Sequence, residues 1–286
     1  MTAGVVAEAE LRRDPISGRM VVVAPGRSHR PGAFLHTPLE VTAEELADCP
    51  FCAGHEDRTP PETLRLPAGA DEWQVRVVPN LYPAFAGQEV VIHTPRHCHF
   101  LAELTDDEVA LVAEAWQARA QARDGYLHAF VNERPEAGAS IPHTHSQLVW
   151  FDRPPPEVER EHATREAGGD DLVIAERDGV VLRAAWAGRM PYELFVAPEP
   201  REDDPWRGDR LVAALQLAAE SLRRLHALEG PCPANLWLHH APGHWHVEVL
   251  PRLTTLGGIE LGAGLFVNPL SPEAAAEALR SERIAL

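Results

Sequence analysis

Long apolar runs are missing from this sequence. Nothing in it approaches the roughly 18 or more uncharged apolar residues that a membrane-crossing helix requires, so no span is expected. The first residues, MTAGVVAEAELRRDP, lack a basic stretch followed by an apolar core, so they do not read as a secretory leader, and a cytoplasmic location is the default expectation. Cysteine is scarce: Cys49, Cys52, Cys98 and Cys232 are too few in 286 residues for a disulfide framework. Positive charge is short as well. With 26 basic side chains against 43 acidic ones the net charge is -17, and no basic stripe is visible, which argues against a nucleic-acid partner. An anionic substrate would need a local cluster of positive groups to overcome that field.

What is present is ordinary for a globular protein with a sizeable core: 45% hydrophobic and 24% charged residues. DPISGRMVVVAP, from Asp14 to Pro25, reads as a turn and then a strand. A polar loop holds Cys49 to Glu62. Val75 to Pro79 and Glu89 to Pro95 are β-branched and bounded by proline or glycine, as strands are. A helix is predicted from near Asp106 to Arg123, capped by Thr105, with Glu108 completing a capping box. Tyr126 to Glu133 and Ser146 to Phe151 read as strands again. A proline-rich, charged stretch from Asp152 to Asp171 marks a boundary, dividing the chain into 1–155 and 156–286. The second part repeats the first. Asp178-Gly179 signals a hairpin, Tyr192 to Pro198 echoes Glu89 to Pro95, Asp209 to Leu228 is a long amphipathic helix, and Asn235 to His240 and His244 to Pro251 are two strands. The expected architecture is α+β: two similar subdomains sharing an extended, mainly antiparallel sheet with helices packed on it.

Two constellations carry chemistry. In IPHTHSQLVW, Ile141 to Trp150, His143, His145 and Gln147 alternate as a strand begins, so two imidazoles and an amide share one face. Imidazole near neutral pH serves as nucleophile, base or metal ligand; a surface strand turning polar residues to water is the plain alternative. Cys49-Pro-Phe-Cys52 has a metal-knuckle spacing. Its rivals are two small buried cysteines without metal and a redox pair, but a redox pair usually opens a helix behind a strand, and this one follows a polar loop. Zinc takes four ligands, and His97 and His143 are suitable for the other two. His99 could compete with His97, while Cys98 between them reads as a bystander.

These segments resemble the galactose-1-phosphate uridylyltransferase family of the histidine-triad superfamily. The similarity spans nearly the whole chain: DPISGRMVVVAPGRSHRP, CPFCAGHE, VVPNLYPAF, HTHSQ, AAWAGRMPYELFVAP and the Leu-Ser-Pro-Glu-Ala-Ala region. The resemblance implies two histidine-triad-like halves and a structural zinc on Cys49, Cys52, His97 and His143. It also implies that His145 attacks the α-phosphorus of a nucleoside diphosphate sugar. Asn132, Ser140 and Gln147 would donate to the α-phosphate region, with Gly138 letting the backbone approach. Arg27 and Arg30 would face the second phosphate, Asn80 the nucleoside and Glu260 the sugar hydroxyls, the plain alternative for each being a solvated polar residue.

The implied reaction transfers a nucleoside monophosphate group between a nucleoside diphosphate hexose and a hexose 1-phosphate, as in galactose metabolism, through a covalent nucleotidyl-histidine. A histidine nucleophile divides the transfer into two in-line displacements and spares two anions a direct encounter. Thr144 and Ser146 depart from the His-Pro-His-Gly-Gln of the uridylyltransferases and are closer to ADP-glucose phosphorylases. Phosphorolysis of ADP-glucose is therefore the alternative, and a zinc-stabilised nucleotide-binding module without turnover is the rival from another class. Some relatives bind a second metal; Glu161, His240 and His246 match it here, with Glu248 where a histidine is expected. A homodimer is implied, with a nucleotide sugar and a sugar phosphate as small-molecule partners.

Overall fold

The computed structural model describes residues 9–27, 40–161 and 168–282. The first half contains β1 (Glu10–Arg13), β2 (Met20–Val23), α1 (Ala43–Asp48), β3 (Leu64–Leu66), β4 (Val75–Pro79), β5 (Glu89–Ile92), α2 (Asp106–Gln121), β6 (Tyr126–Glu133), β7 (His145–Phe151) and α3 (Pro156–Glu159). The second contains β8 (Val173–Arg177), β9 (Val180–Ala184), β10 (Leu194–Pro198), α4 (Arg210–Glu229), β11 (Ala234–Ala241), β12 (His244–Pro251), α5 (Gly258–Ala263), β13 (Leu265–Asn268) and α6 (Pro272–Ser281). Among these, no helix is long and apolar enough to cross a membrane.

Ten strands form one antiparallel sheet in the order β3-β4-β5-β7-β6-β11-β12-β10-β9-β8. The order is a palindrome of two units: β3, β4, β5, α2, β6, β7 answers β8, β9, β10, α4, β11, β12. The duplicated α+β architecture expected from the sequence is therefore present, with one strand of the large sheet, β3, that the sequence pattern did not mark. The units meet where β6 pairs with β11, Asn132 standing opposite Asn235. The hairpin signal at Asp178-Gly179 is a tight turn with both residues at positive φ, 48° and 76°, which an Asp-Gly pair adopts readily. A second sheet, β1-β2-β13, was not foreseen beyond β2. There β13 lies parallel to β2, bringing the far end of the chain back to its beginning.

Helices cover one face of the large sheet. α2 and α4 pack on each other, α2 also on β3 and β4, and α4 on β8, β9, β10 and β12. α2 starts as expected: the Thr105 hydroxyl accepts from Glu108 N at 3.2 Å while Glu108 returns to Thr105 N at 2.8 Å. It ends at Gln121, two residues before the expected Arg123. Strand alternation then sorts the side chains. Leu148 and Trp150 of β7 join Trp116 and Leu127 in the core beneath the helices. His145 and Gln147 take the opposite face, which carries the site.

Candidate active site

The candidate metal cluster, Cys49, Cys52, His97 and His143, gathers its side chains from three segments: the loop after α1, the loop after β5, and the approach to β7. Cys49 Sγ lies 3.4 Å from His143 Nδ1; Cys52 Sγ lies 3.3 Å from His97 Nδ1 and 3.8 Å from His143 Nδ1. All four ligand atoms fall within 4.8 Å of one another. Sulfur and nitrogen ligands on one tetrahedral zinc stand about 3.5 Å apart, so these residues fit that ion. The far imidazole nitrogens agree. His97 Nε2 meets the Glu45 carboxylate at 2.7 Å and His143 Nε2 donates to the Thr94 carbonyl at 2.9 Å, which leaves each Nδ1 lone pair for a metal. Burial pulls His143 down to about 4 and so keeps it neutral. Burial, and then Cys49 beside it, pushes the Cys52 thiol up to about 12, so a thiolate there needs a cation. His99 turns to Glu45 as well, away from the sulfurs, and Cys98 is buried apart.

His145 opens β7. Its Nδ1–H donates to the carbonyl of His143 at 2.7 Å, which leaves Nε2 with the free lone pair. Burial holds its pKa below the usual imidazole value, partly opposed by that hydrogen bond, so the ring is neutral. Phe51, from between the two cluster cysteines, packs edge-on against it at 5.4 Å. The ring borders a cavity of about 460 Å³ whose lining also includes Asn80, Ser140 and Gln147. Gln88, which no sequence signal marked, donates from Nε2 to Gln147 Oε1 at 2.6 Å and so leaves the Gln147 amide N–H groups for another partner. The residues between the histidines and glutamine face the core. Thr144 Oγ1 pairs with His93 Nδ1 at 3.0 Å, and Ser146 Oγ accepts from Trp116 Nε1 at 2.8 Å. Their departure from proline and glycine thus ties the strand down from behind.

Not every expected residue comes to this cavity. Asn132 stands on β6, one strand from β7 and on the same face as Gln147. Arg27 is exposed on the turn Pro25–Arg27, and Glu260 caps α5 by accepting from Gly257 N at 2.8 Å; neither lines the cavity. Arg30 lies outside the described residues. A single chain therefore does not bring Arg27 or Glu260 to His145.

The second metal expectation needs one correction. The cluster is Glu161, His239, His246 and Glu248. His240 points to the other face of β11, where it stacks on Tyr126 at 4.2 Å and contacts the Leu127 carbonyl, because successive residues of a strand face opposite ways. His239 Nδ1 meets Glu161 at 2.6 Å and His246 Nε2 lies 3.5 Å from Glu248. Burial alone would raise the Glu161 carboxyl, but its bonds to His239 and His244 hold it down to about 2. Register explains the arrangement. Gln147 lies opposite Phe130 and Val90 in the first unit, and Glu248 lies opposite Trp237 and Phe195 in the second, so His246 stands where His145 does.

Known proteins share this fold. A family described as a domain of unknown function, DUF4921, matches residues 91–284. An ADP-glucose phosphorylase of Arabidopsis thaliana is 28% identical, aligned over 95% of this chain and 92% of its own. A galactose-1-phosphate uridylyltransferase of Thermotoga maritima is 23% identical over 96% and 99%. Among solved structures, an ADP-glucose phosphorylase from Arabidopsis thaliana with bound ADP-glucose superposes with a TM-score of 0.82 at 26% identity, covering 98% of this chain and all of the other. A uridylyltransferase structure shares the fold, with a TM-score of 0.67 at 21% identity, over 96% of this chain and 98% of its own. The match over two thirds of the sequence places the chain in the DUF4921 family, and its fold is that of the galactose-1-phosphate uridylyltransferase-like, histidine-triad-type proteins.

Proposed function

We propose that the chain transfers a nucleoside monophosphate group through His145, taking adenylate from ADP-glucose and passing it to inorganic phosphate. The observation that carries this reading is the neutral imidazole with Nδ1 bound to its own strand and Nε2 left free beside a nucleotide-sized cavity. Nε2 attacks the α-phosphorus, the bond to the bridging oxygen breaks, and glucose 1-phosphate leaves with that electron pair. A phosphate oxygen then attacks the same phosphorus, the phosphorus–nitrogen bond breaks, and ADP forms as the lone pair returns to Nε2. The His143 carbonyl stabilises the positive charge that the ring carries in between. Gln147 and Ser140 supply donors to the phosphoryl oxygens. Cys49, Cys52, His97 and His143 would hold a zinc ion, whose contribution would be rigidity, by fixing the residue that precedes the nucleophile by two.

The adenylyl donor is supported by the likeness to ADP-glucose phosphorylase, in sequence and fold, over nearly the whole chain. The second reading, uridylyl transfer from UDP-glucose to galactose 1-phosphate, draws on the Thermotoga relative and uses the same histidine. A binding module without turnover has no use for a nucleophile so placed. The same proposal takes residues 1–155 and 156–286 as the two units, a second cation on Glu161, His239, His246 and Glu248, and a homodimer as the working form. The test is incubation with ADP-glucose and UDP-glucose radiolabelled at the α-phosphorus. A base-stable, acid-labile phosphoramidate at His145 is expected, from ADP-glucose in greater yield. Protein without label from either donor excludes the covalent route.

A further inference from the structure

The seam between the two units holds a hydrogen-bonded chain that the reaction above does not use. Asn235 Nδ2 donates both to the Ala137 carbonyl and to Asn132 Oδ1, each at 2.8 Å, and Asn235 Oδ1 accepts from Arg252 Nη1 at 3.1 Å. An amide's oxygen and nitrogen are interchangeable in shape, so only partners of fixed character orient it. Here there are two. A main-chain carbonyl can only accept, and a guanidinium can only donate. Together they set Asn235 with its nitrogen toward Ala137 and its oxygen toward Arg252. Asn235 then has only an N–H to offer Asn132, and Asn132 must answer with its oxygen. The Asn132 nitrogen is left pointing toward the loop that carries Ser140. Its nearness to Gly138 shows this direction, since a β-carbon there would lie 3.4 Å from Asn132 Nδ2, and Gly138 itself sits at φ 95°. Asn132 shares its sheet face with Gln147, one strand away.

We infer that Asn235 and Arg252, contributed by the second unit, are positioning residues that make Asn132 a donor-only group beside the first unit's cavity, on the sheet face of His145 and Gln147, matched to a phosphoryl oxygen of the nucleotide. Asn132 then pairs with acceptors, a phosphoryl oxygen among them, and has nothing to offer a group that can only donate. The inference rests on the function proposed above for the identity of the nucleotide; the amide orientation itself does not depend on it.

The test is Asn235→Asp. A carboxylate keeps Arg252 paired, and improves that pair, but cannot donate to Asn132 or to Ala137. Calorimetric titration with AMP, on protein with its metal content verified as unchanged, should show binding about tenfold or more weaker than in the parent chain, the worth of one lost hydrogen bond. The rate of His145 labelling from ADP-glucose should fall by a similar factor. Combining the change with Asn132→Ala separates positioning from general damage: Asn235→Asp should add almost nothing in that background, because its target is gone. Asn132→Asp should be worse than Asn132→Ala, since the lock would turn an oxygen toward the phosphate. Unchanged AMP affinity in Asn235→Asp, or fully additive losses in the double variant, would overturn the inference. If no donor labels even the parent protein, the covalent mechanism has failed, and the AMP titrations still decide the amide lock by themselves.

Discussion

His143 and His145 are two residues apart, share a face, and do different work, and the difference lies in which nitrogen each has left. His143 turns Nδ1 to the cysteines; His145 spends Nδ1 on a carbonyl and keeps Nε2. His145→Ala is expected to abolish turnover, whereas His145→Gly leaves an imidazole-sized gap that added imidazole fills, restoring part of the activity in a steady-state assay. His143→Gly should lose metal by elemental analysis and gain nothing from imidazole. The opposite pattern would exchange the two roles. Cys52→Ser, or treatment with a strong chelator, should lower metal content and melting temperature together, since ligand assembly and folding are coupled at such sites. Full stability without metal would contradict the cluster's role. At this scale the sequence was informative wherever chemistry came in a pattern. Cys49, Cys52 and the alternating His143, His145 and Gln147 could be read from their spacing. His97 is only one of several nearby histidines, and it took the fold to show His99 turned aside. Gln88 and Asn235 were illegible, because a lone amide in a strand or its approach has no signature until its neighbour across the sheet is known.

Elements transmit these demands. The Glu108 carboxylate that closes the α2 capping box also accepts from Thr94 Oγ1 at 3.0 Å and binds Arg96, and the Thr94 carbonyl is the partner of His143. The start of one helix therefore steadies His143. At the end of β6, Glu133 is 2% exposed and accepts from Leu101 N. Burial raises its pKa from the usual 4.5 to about 8, the Leu101 bond opposing and Glu103 adding to the rise. The folded state thus holds a proton that the unfolded chain releases. That contribution is fully present below pH 4.5 and is lost as pH climbs to about 8, by about 1.4 kcal/mol per unit. Denaturant melts across this window should show the decline, and Glu133→Gln should flatten it. An unaltered slope in the variant would mean that other groups set it. Strand and helix positions were largely legible, since alternation, the capping box and Asp178-Gly179 are local signals. The parallel pairing of β13 with β2 was not, because Leu265–Asn268 and Met20–Val23 each look like any short apolar strand and only tertiary contact joins them.

On the scale of the molecule, the repeat was readable because both halves kept their order of elements, yet the second half has exchanged its chemistry. Where the first has His145 and Gln147 beside a cavity, the second has His246 and Glu248 grouped with His239 and Glu161. One chain also leaves apolar side chains uncovered: Leu81 and Tyr82 by the His145 cavity, 61% and 86% exposed, and Leu261 on α5, 75% exposed. Together with Arg27 and Glu260 standing away from the cavity, they support a second copy completing the site. Light scattering at micromolar concentration should give twice the chain mass, and a monomer would refute it. The join between β6 and β11 carries a different consequence. Cut the chain between its units, and each fragment keeps its Cys/His cluster or its His/Glu cluster but exposes a long inner strand along its whole length. Such raw edges seek partners. A fragment of this protein would therefore tend to pair with itself along that strand, rebuilding between two molecules the symmetric sheet that the intact chain closes within one.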